Sequence, residues 1–175
     1  MDNYFYQDNL QSERLYTRFI TPEDVDIWTT FFDEPECGKF FPTFGLPNAR
    51  ARAEHWISKG LSRYEQKTYG LQSLINKETG EYIGQCGLLL QEVDGIKELE
   101  VGYSLLRKHW GKGYASEAAQ LFKNYGFQNK LSESIISIIH IDNIPSQQVA
   151  IRNGMTKEKQ TKWNDLDVFI FRTKL

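Results

Sequence analysis

Cysteine is scarce in this chain, with Cys37 and Cys86 the only two among 175 residues. They stand far apart and in no metal-ligand spacing, which argues against a disulfide framework and against a zinc site. A surplus of one charge is also missing: Lys and Arg total 21 against 23 for Asp and Glu. With no basic stripe or arginine-rich run, no nucleic-acid partner is expected. No apolar run approaches the ~20 residues a membrane helix needs. The stretch from Met1 to Gln11 carries no charged-then-apolar signal pattern. These absences lead to the expectation of a soluble, cytoplasmic protein with no membrane contact. Repeats, low-complexity tracts and dividing linkers are missing too, so a single domain over 1–175 is expected. Such a length buries most of its apolar surface without staples. Aromatic residues are plentiful, at 14%, enough for a filled core and an aromatic-lined cleft.

The pattern along the chain reads as a mixed α/β fold. Leu15 to Ile20 suits a first strand. Thr21-Pro22-Glu23-Asp24 offers a helix N-cap, a proline at the first helical position and acids in the first turn, and the helix should reach about Phe32. Asp33 to Pro47 reads as a loop holding Phe40, Phe41 and Phe44. Asn48 can cap a second helix running to about Gln66. Strands are expected over Tyr69–Ile75, Tyr82–Leu90 and Leu99–Leu106, with turns at Lys77–Gly80 and Asp94-Gly95. Ala115, Ala118, Ala119, Phe122 and Gly126 share one face of a helix over 115–129. The run Ile135-Ile136-Ser137-Ile138-Ile139 suits a strand buried on both sides. Strand 99–106, helix 115–129 and strand 134–140 then form a βαβ unit, right-handed by default. A short helix from Pro145 to Arg152 ends at Asn153-Gly154. Two closing strands, Met155–Lys162 and Asp167–Thr173, turn around Trp163-Asn164-Asp165. The order describes a sheet of about seven strands, mostly antiparallel, with helices on both faces.

The most informative segment is Arg107-Lys108-His109-Trp110-Gly111-Lys112-Gly113-Tyr114-Ala115. It joins a strand to the alanine-faced helix. Its glycines let the backbone turn tightly and approach a ligand. The free N–H groups and dipole of the following helix then favour an anion. Arg107, Lys108 and Lys112 add positive charge. The segment contains neither G-x-x-x-x-G-K-[ST] nor G-x-G-x-x-G, which sets aside two common nucleotide loops. An ordinary glycine-containing turn remains the plain alternative.

Trp110-Gly111-Lys112-Gly113-Tyr114-Ala115 resembles the coenzyme A signature Q/R-x-x-G-x-G/A of the GNAT acetyltransferase superfamily. Gly113 and Ala115 fill the small-residue slots, and Trp110 departs from the pattern in the Q/R slot. The wider run is similar to the branch that acetylates ribosomal-protein N-termini, where an aromatic stands at that slot. Asn143 to Met155 resembles that branch's N-x-x-S-x-x-V-x-x-K-x-G-F segment, with Arg152 and Met155 as departures. The opening SERLYTRFITPEDVDIW is similar to its first strand and helix. The likeness covers nearly the whole chain in the expected order.

The resemblance implies acetyl-CoA as co-substrate, an amine acceptor, and a splayed parallel strand pair, here 99–106 and 134–140. It implies coenzyme contacts at Ser104, Leu105 and Leu106, one of whose backbone N–H groups would meet the thioester carbonyl. Further contacts are implied at Arg107, Trp110, Gly111, Lys112, Gly113, Tyr114, Ala115 and Ser116, and at Asn143 and Ser146. Acetyl transfer also needs a base for the amine. Glu98, Glu100 and His140 are candidates, with Glu100 preferred, acting through water; a strand-edge salt bridge is the plain alternative. Many family members carry a tyrosine acid four residues beyond the Ser146 position. Ala150 stands there in this chain, which leaves Ser146 or no acid at all for the departing thiolate. Asn143 and Ser146 would otherwise serve as helix caps. Phe40, Phe41 and Trp163 are candidate acceptor contacts, beside the second helix. No metal is expected. The acceptor stays open between a protein or peptide α-amine, a polyamine, an aminoglycoside and another small amine. The oligomeric state also stays open, monomer or homodimer. A coenzyme-binding sensor without turnover and a pure interaction module are the competing classes.

Overall fold

Alternating apolar strands and one-faced helices can bury their surfaces only by layering. In the computed structural model, which describes residues 6–175, one seven-stranded sheet does this in the order β1-β2-β3-β4-β5-β7-β6. The strands are β1 (Leu15–Phe19), β2 (Leu71–Asn76), β3 (Tyr82–Val93), β4 (Ile96–Leu105), β5 (Ser134–His140), β6 (Thr156–Trp163) and β7 (Leu166–Lys174). The helices are α1 (Asp24–Asp33), α2 (Pro35–Gly38), α3 (Ala49–Glu65), α4 (Tyr114–Gln128) and α5 (Ile144–Arg152). Every strand pair is antiparallel except β4 with β5.

Three buried clusters cover the sheet, two of them under helices and a smaller one of Val93, Ile136, Val168 and Ile170. Leu74, Leu88, Val101 and Ile135 pack under Ala118, Ala119 and Phe122 of α4. Leu71, an odd number of residues from Leu74, joins Trp28, Phe31, Phe32 and Ile57 of α1 and α3. Trp28 stacks on Phe31 with centroids 4.3 Å apart.

Four sequence expectations are corrected. Thr21 does not cap α1 with its side chain. Instead the Asp24 carboxylate accepts the Thr21 N–H at 2.9 Å and pairs with Arg18 at 2.7 Å, because a buried carboxylate needs the stronger donors. The segment read as an unbroken loop over 33–47 contains α2, started by Pro35 and anchored by buried Cys37. Strands β3 and β4 run closer to their turn than expected, pairing to Val93 and Ile96. Asp94 and Gly95 both take positive φ, which suits a two-residue hairpin turn and lets the ladder continue to it. Of the two residues offered as caps of α5, Asn143 serves and Ser146 does not, since the Asn143 side chain accepts the Ser146 N–H. The turn at Asn164-Asp165 was read correctly: both residues have positive φ, and Trp163 pairs with Leu166.

Candidate active site

Strands β4 and β5 touch in register at a single pair, Glu100 with Ile136. Beyond it they part toward the C-terminal end of β4. Strand backbones alternate the direction of their N–H groups. The Leu106 N–H bonds the Ile83 carbonyl at 3.0 Å, so Leu106 and Ser104 direct theirs toward β3. Tyr103 and Leu105 direct theirs toward the gap. Of the three expected donors, the ladder therefore removes Leu106 and Ser104 and leaves the Leu105 N–H. The Leu105 carbonyl accepts the Trp110 indole N–H at 2.9 Å, which anchors the following loop to the strand.

That loop passes a short 3-10 turn, Arg107–His109, and enters α4 at Tyr114. Gly111 and Gly113 have φ of +73° and +81°, a region that glycine enters without strain. Gly113 is the N-cap residue and makes no side-chain cap bond. The Glu117 N–H reaches the Gly113 carbonyl, so the N–H groups before it in the first turn have no partner within the helix. They form an anion cradle with the positive end of the dipole behind it. Arg107 lies over the Trp110 ring at 4.6 Å, while Lys108 is paired with Glu81 at 3.1 Å.

The cradle is braced from the segment just before β1 by residues that the sequence pattern did not mark. Arg14 donates to the Lys112 carbonyl at 2.9 Å and pairs with Glu117 at 2.7 Å. Burial works to raise the Glu117 pKa, but donors from the Arg14 backbone, Ser12 and the Arg14 guanidinium outweigh it and hold the carboxyl low. The Arg14 guanidinium also sits 4.3 Å from the Tyr114 ring, whose hydroxyl accepts from Asn76.

A cavity of about 210 Å³ opens beside the parted strands. Glu100, Ser104, Asn143, Ser146, Phe40, Phe41 and Trp163 all line it. The segment 105–116 does not, so the expected site residues divide between this cavity and the cradle that follows β4. Glu100 is 7% exposed. Its carboxylate accepts from Gln91 Nε2 at 2.8 Å and from the Ile138 N–H at 3.3 Å. Burial raises its pKa; those two bonds and the Arg63 charge only offset part of the rise. Glu98 is different, bound through both oxygens by Arg172 at 2.7 and 3.1 Å. The strand-edge salt bridge weighed for Glu100 is thus made by Glu98 instead. His140 Nδ1 accepts the Asp142 N–H at 3.1 Å, and its ring lies 4.9 Å from Phe40. The Ser146 carbonyl accepts the Tyr103 hydroxyl at 2.7 Å, which ties α5 to β4 across the gap. Phe41 contacts Phe31, Phe32 and Trp56, so half its role is packing. Trp163 donates to the Glu92 carbonyl at 3.2 Å. Lys59, Arg63 and Gln91 also line the cavity and were not foreseen. Lys59 and Arg63 stand at helical i, i+4 spacing, a visible signal with no mark of which way it faces. Among the described residues no cluster of metal-ligating side chains occurs.

Comparison with known proteins agrees with this geometry. The family described as Acetyltransferase (GNAT) domain matches residues 14–156. Protein YkkB of Bacillus subtilis is 35% identical over 161 residues, 89% of this chain and 90% of that one. The N-acetyltransferase p20 of Bacillus licheniformis is 31% identical over 176 residues, 94% of each chain. The crystal structure of an acetyltransferase from Agrobacterium tumefaciens superposes with a TM-score of 0.80 at 26% identity, covering 100% of this chain and 99% of that one. The chain belongs to the GNAT family of acetyl-CoA-dependent N-acetyltransferases.

Proposed function

We propose that the chain moves an acetyl group from acetyl-CoA onto a primary amine by direct attack in the cavity beside Glu100. The observation that carries this reading is Glu100 itself. It is a buried carboxylate with a raised pKa, facing a cavity at the closed end of the strand gap. Perturbed acids in a cleft are the usual place for proton transfer.

Acetyl-CoA supplies the acetyl group as a thioester. The residues at the cradle fit its pyrophosphate: two left-handed glycines, free helix N–H groups and the charges of Arg107 and Lys112. Trp110, Tyr114, Ala115 and Ser116 complete that binding segment. Asn143 and Ser146 border the gap from the α5 side. The Leu105 N–H is the donor aimed at the developing oxyanion, fixed in place by the β3 ladder on its other side. Glu100 takes the amine proton through water. The Ser146 hydroxyl gives a proton to the departing thiolate, a leaving group with an ordinary pKa near ~8.5 that needs only modest help. Phe40, Phe41 and Trp163 wall the acceptor side. The Tyr103 hydroxyl points its proton at the Ser146 carbonyl, so it positions α5 and does not act as the acid.

The test is Glu100→Gln. Its kcat should fall by about 10²–10⁴ with coenzyme affinity unchanged. The acid limb of the wild-type pH–rate profile should lie above the ordinary carboxylate range, because Glu100 must be ionised to act and burial raises its pKa. A fully active variant with the same profile would hand the role to His140 or bulk water.

A further inference from the structure

The wall of the acceptor cavity is electrically lopsided. Lys59 and Arg63 both line it from α3, one helical turn apart. Glu100 is the only carboxylate among the described residues that line it. Arg63 is half-buried, and its guanidinium makes no hydrogen bond or ion pair with any described residue. A guanidinium at a cavity wall with no protein acceptor keeps its five N–H donors free for an anion that enters the cavity. Burial lowers the pKa of Arg63, with Glu100 the one charge opposing that effect; burial also lowers that of Lys59, and Arg63 adds to it. Around these cations stand Phe40, Phe41, Phe44, Trp56 and Trp163.

We infer that the acceptor is a small amine that carries its own anion, a carboxylate or phosphate, on an apolar body: the Arg63 fork and Lys59 receive the anion while Glu100 serves the amine. This inference rests on the transfer reading above and narrows its substrate. Arg63 and Glu100 line the same cavity of about 210 Å³, so the anion and the amine belong to one small molecule. Arginine suits the task because its planar fork matches carboxylate and phosphate oxygens in pairs. The volume of about 210 Å³ falls below the roughly 300–1,000 Å³ usual for drug-sized ligands, which favours a single small acceptor. Polyamines and aminoglycosides carry several positive charges and would meet two cations at this wall, a repulsion that selects against them.

Matched pairs of amines test this in a thiol-release assay with acetyl-CoA. Phenylalanine is set against phenethylamine, O-phosphoethanolamine against ethanolamine, and spermidine serves as the polycation. The anionic member of at least one pair should show a kcat/KM about 10–100-fold higher, the worth of one or two charge-assisted hydrogen bonds, and the favoured pair tells carboxylate from phosphate. Arg63→Met should shrink that ratio toward one, and Arg63→Lys should restore part of it. Circular dichroism and the acetyl-CoA thermal shift verify that both variants fold. Product binding reads the same preference without turnover: with coenzyme A present, N-acetylphenylalanine should bind more tightly than N-acetylphenethylamine, and O-phospho-N-acetylethanolamine more tightly than N-acetylethanolamine, in at least one of the two pairs. Again Arg63→Met should remove the difference. Equal use of charged and neutral amines, a preference for spermidine, or an unchanged ratio in Arg63→Met would overturn the inference. Absence of any acetylation together with anion-selective product binding would overturn the transfer reading and leave the anion site standing.

Discussion

Single residues carry opposing demands here, and Glu100 shows it most clearly. A carboxylate buried to 7% exposure is costly when ionised, and burial raises its pKa. A raised folded pKa means the group favours the folded state at low pH, and that contribution is lost as pH rises through the folded value. Glu100→Gln removes the charge. The melting temperature of the variant relative to wild type should therefore climb as pH rises from the acid side toward neutrality, while activity is lost. A constant difference across pH would mean the carboxyl is not held protonated by its site. Ser146 and Asn143 separate two jobs that sequence left entangled. Asn143 Oδ1 accepts the Ser146 N–H at 3.3 Å, so the cap belongs to Asn143. Asn143→Ala should lower stability by about 0.5–2 kcal/mol. Ser146→Ala should leave the melting temperature nearly unchanged and slow kcat by about 10²-fold, the lower end for acid–base help. A destabilised Ser146→Ala enzyme with normal kcat would remove the acid role.

At the scale of elements, the decisive feature is the joint between β4 and α4. Trp110 pins it to the Leu105 carbonyl, and Arg14, just before β1, pins it from the other side. Gly113→Val places a branched side chain at φ of +81°, where β-branched residues are strained, and a Cβ there already approaches Arg14 to 3.4 Å. The variant should lose coenzyme binding while far-UV circular dichroism stays native, and retained affinity in a folded variant would contradict the cradle. This joint was legible in sequence because it is local: strand, glycines, small-residue helix face. The succession of strands along the chain and α4 were legible for the same reason, from periods of two and 3.6. What sequence could not show depends on distant partners. The pairing of Arg14 with Glu117 spans 103 positions. The inward turn of Lys59 and Arg63 was hidden because α3 is polar nearly all round, with only Ala53, Ile57 and Gly60 buried. Helix α2 was missed because four residues are too few for a periodic signal. The consumption of the Leu106 N–H by Ile83 depends on strand register, which hydrophobic pattern alone does not fix to the single residue.

Across the whole molecule the seven-stranded sheet is continuous except where β4 and β5 part. The parallel contact of β4 and β5 shrinks to one registered pair, whereas β5 with β7 and β3 with β4 pair along their lengths. The gap is therefore held by continuous ladders on both sides and costs little rigidity. The coenzyme should bridge the two halves of the opening and bind only the folded state. At a hundred times its Kd, acetyl-CoA should thus add about 2.7 kcal/mol of stability. The most direct test of the central claim is amine-dependent release of the coenzyme A thiol from acetyl-CoA by the purified protein, read together with the mass of the amine product. Thiol release that rises with amine concentration and matches the N-acetylated product one for one is the expected result. A protein that is stabilised by acetyl-CoA yet releases thiol at the same rate with and without every amine offered would contradict the claim.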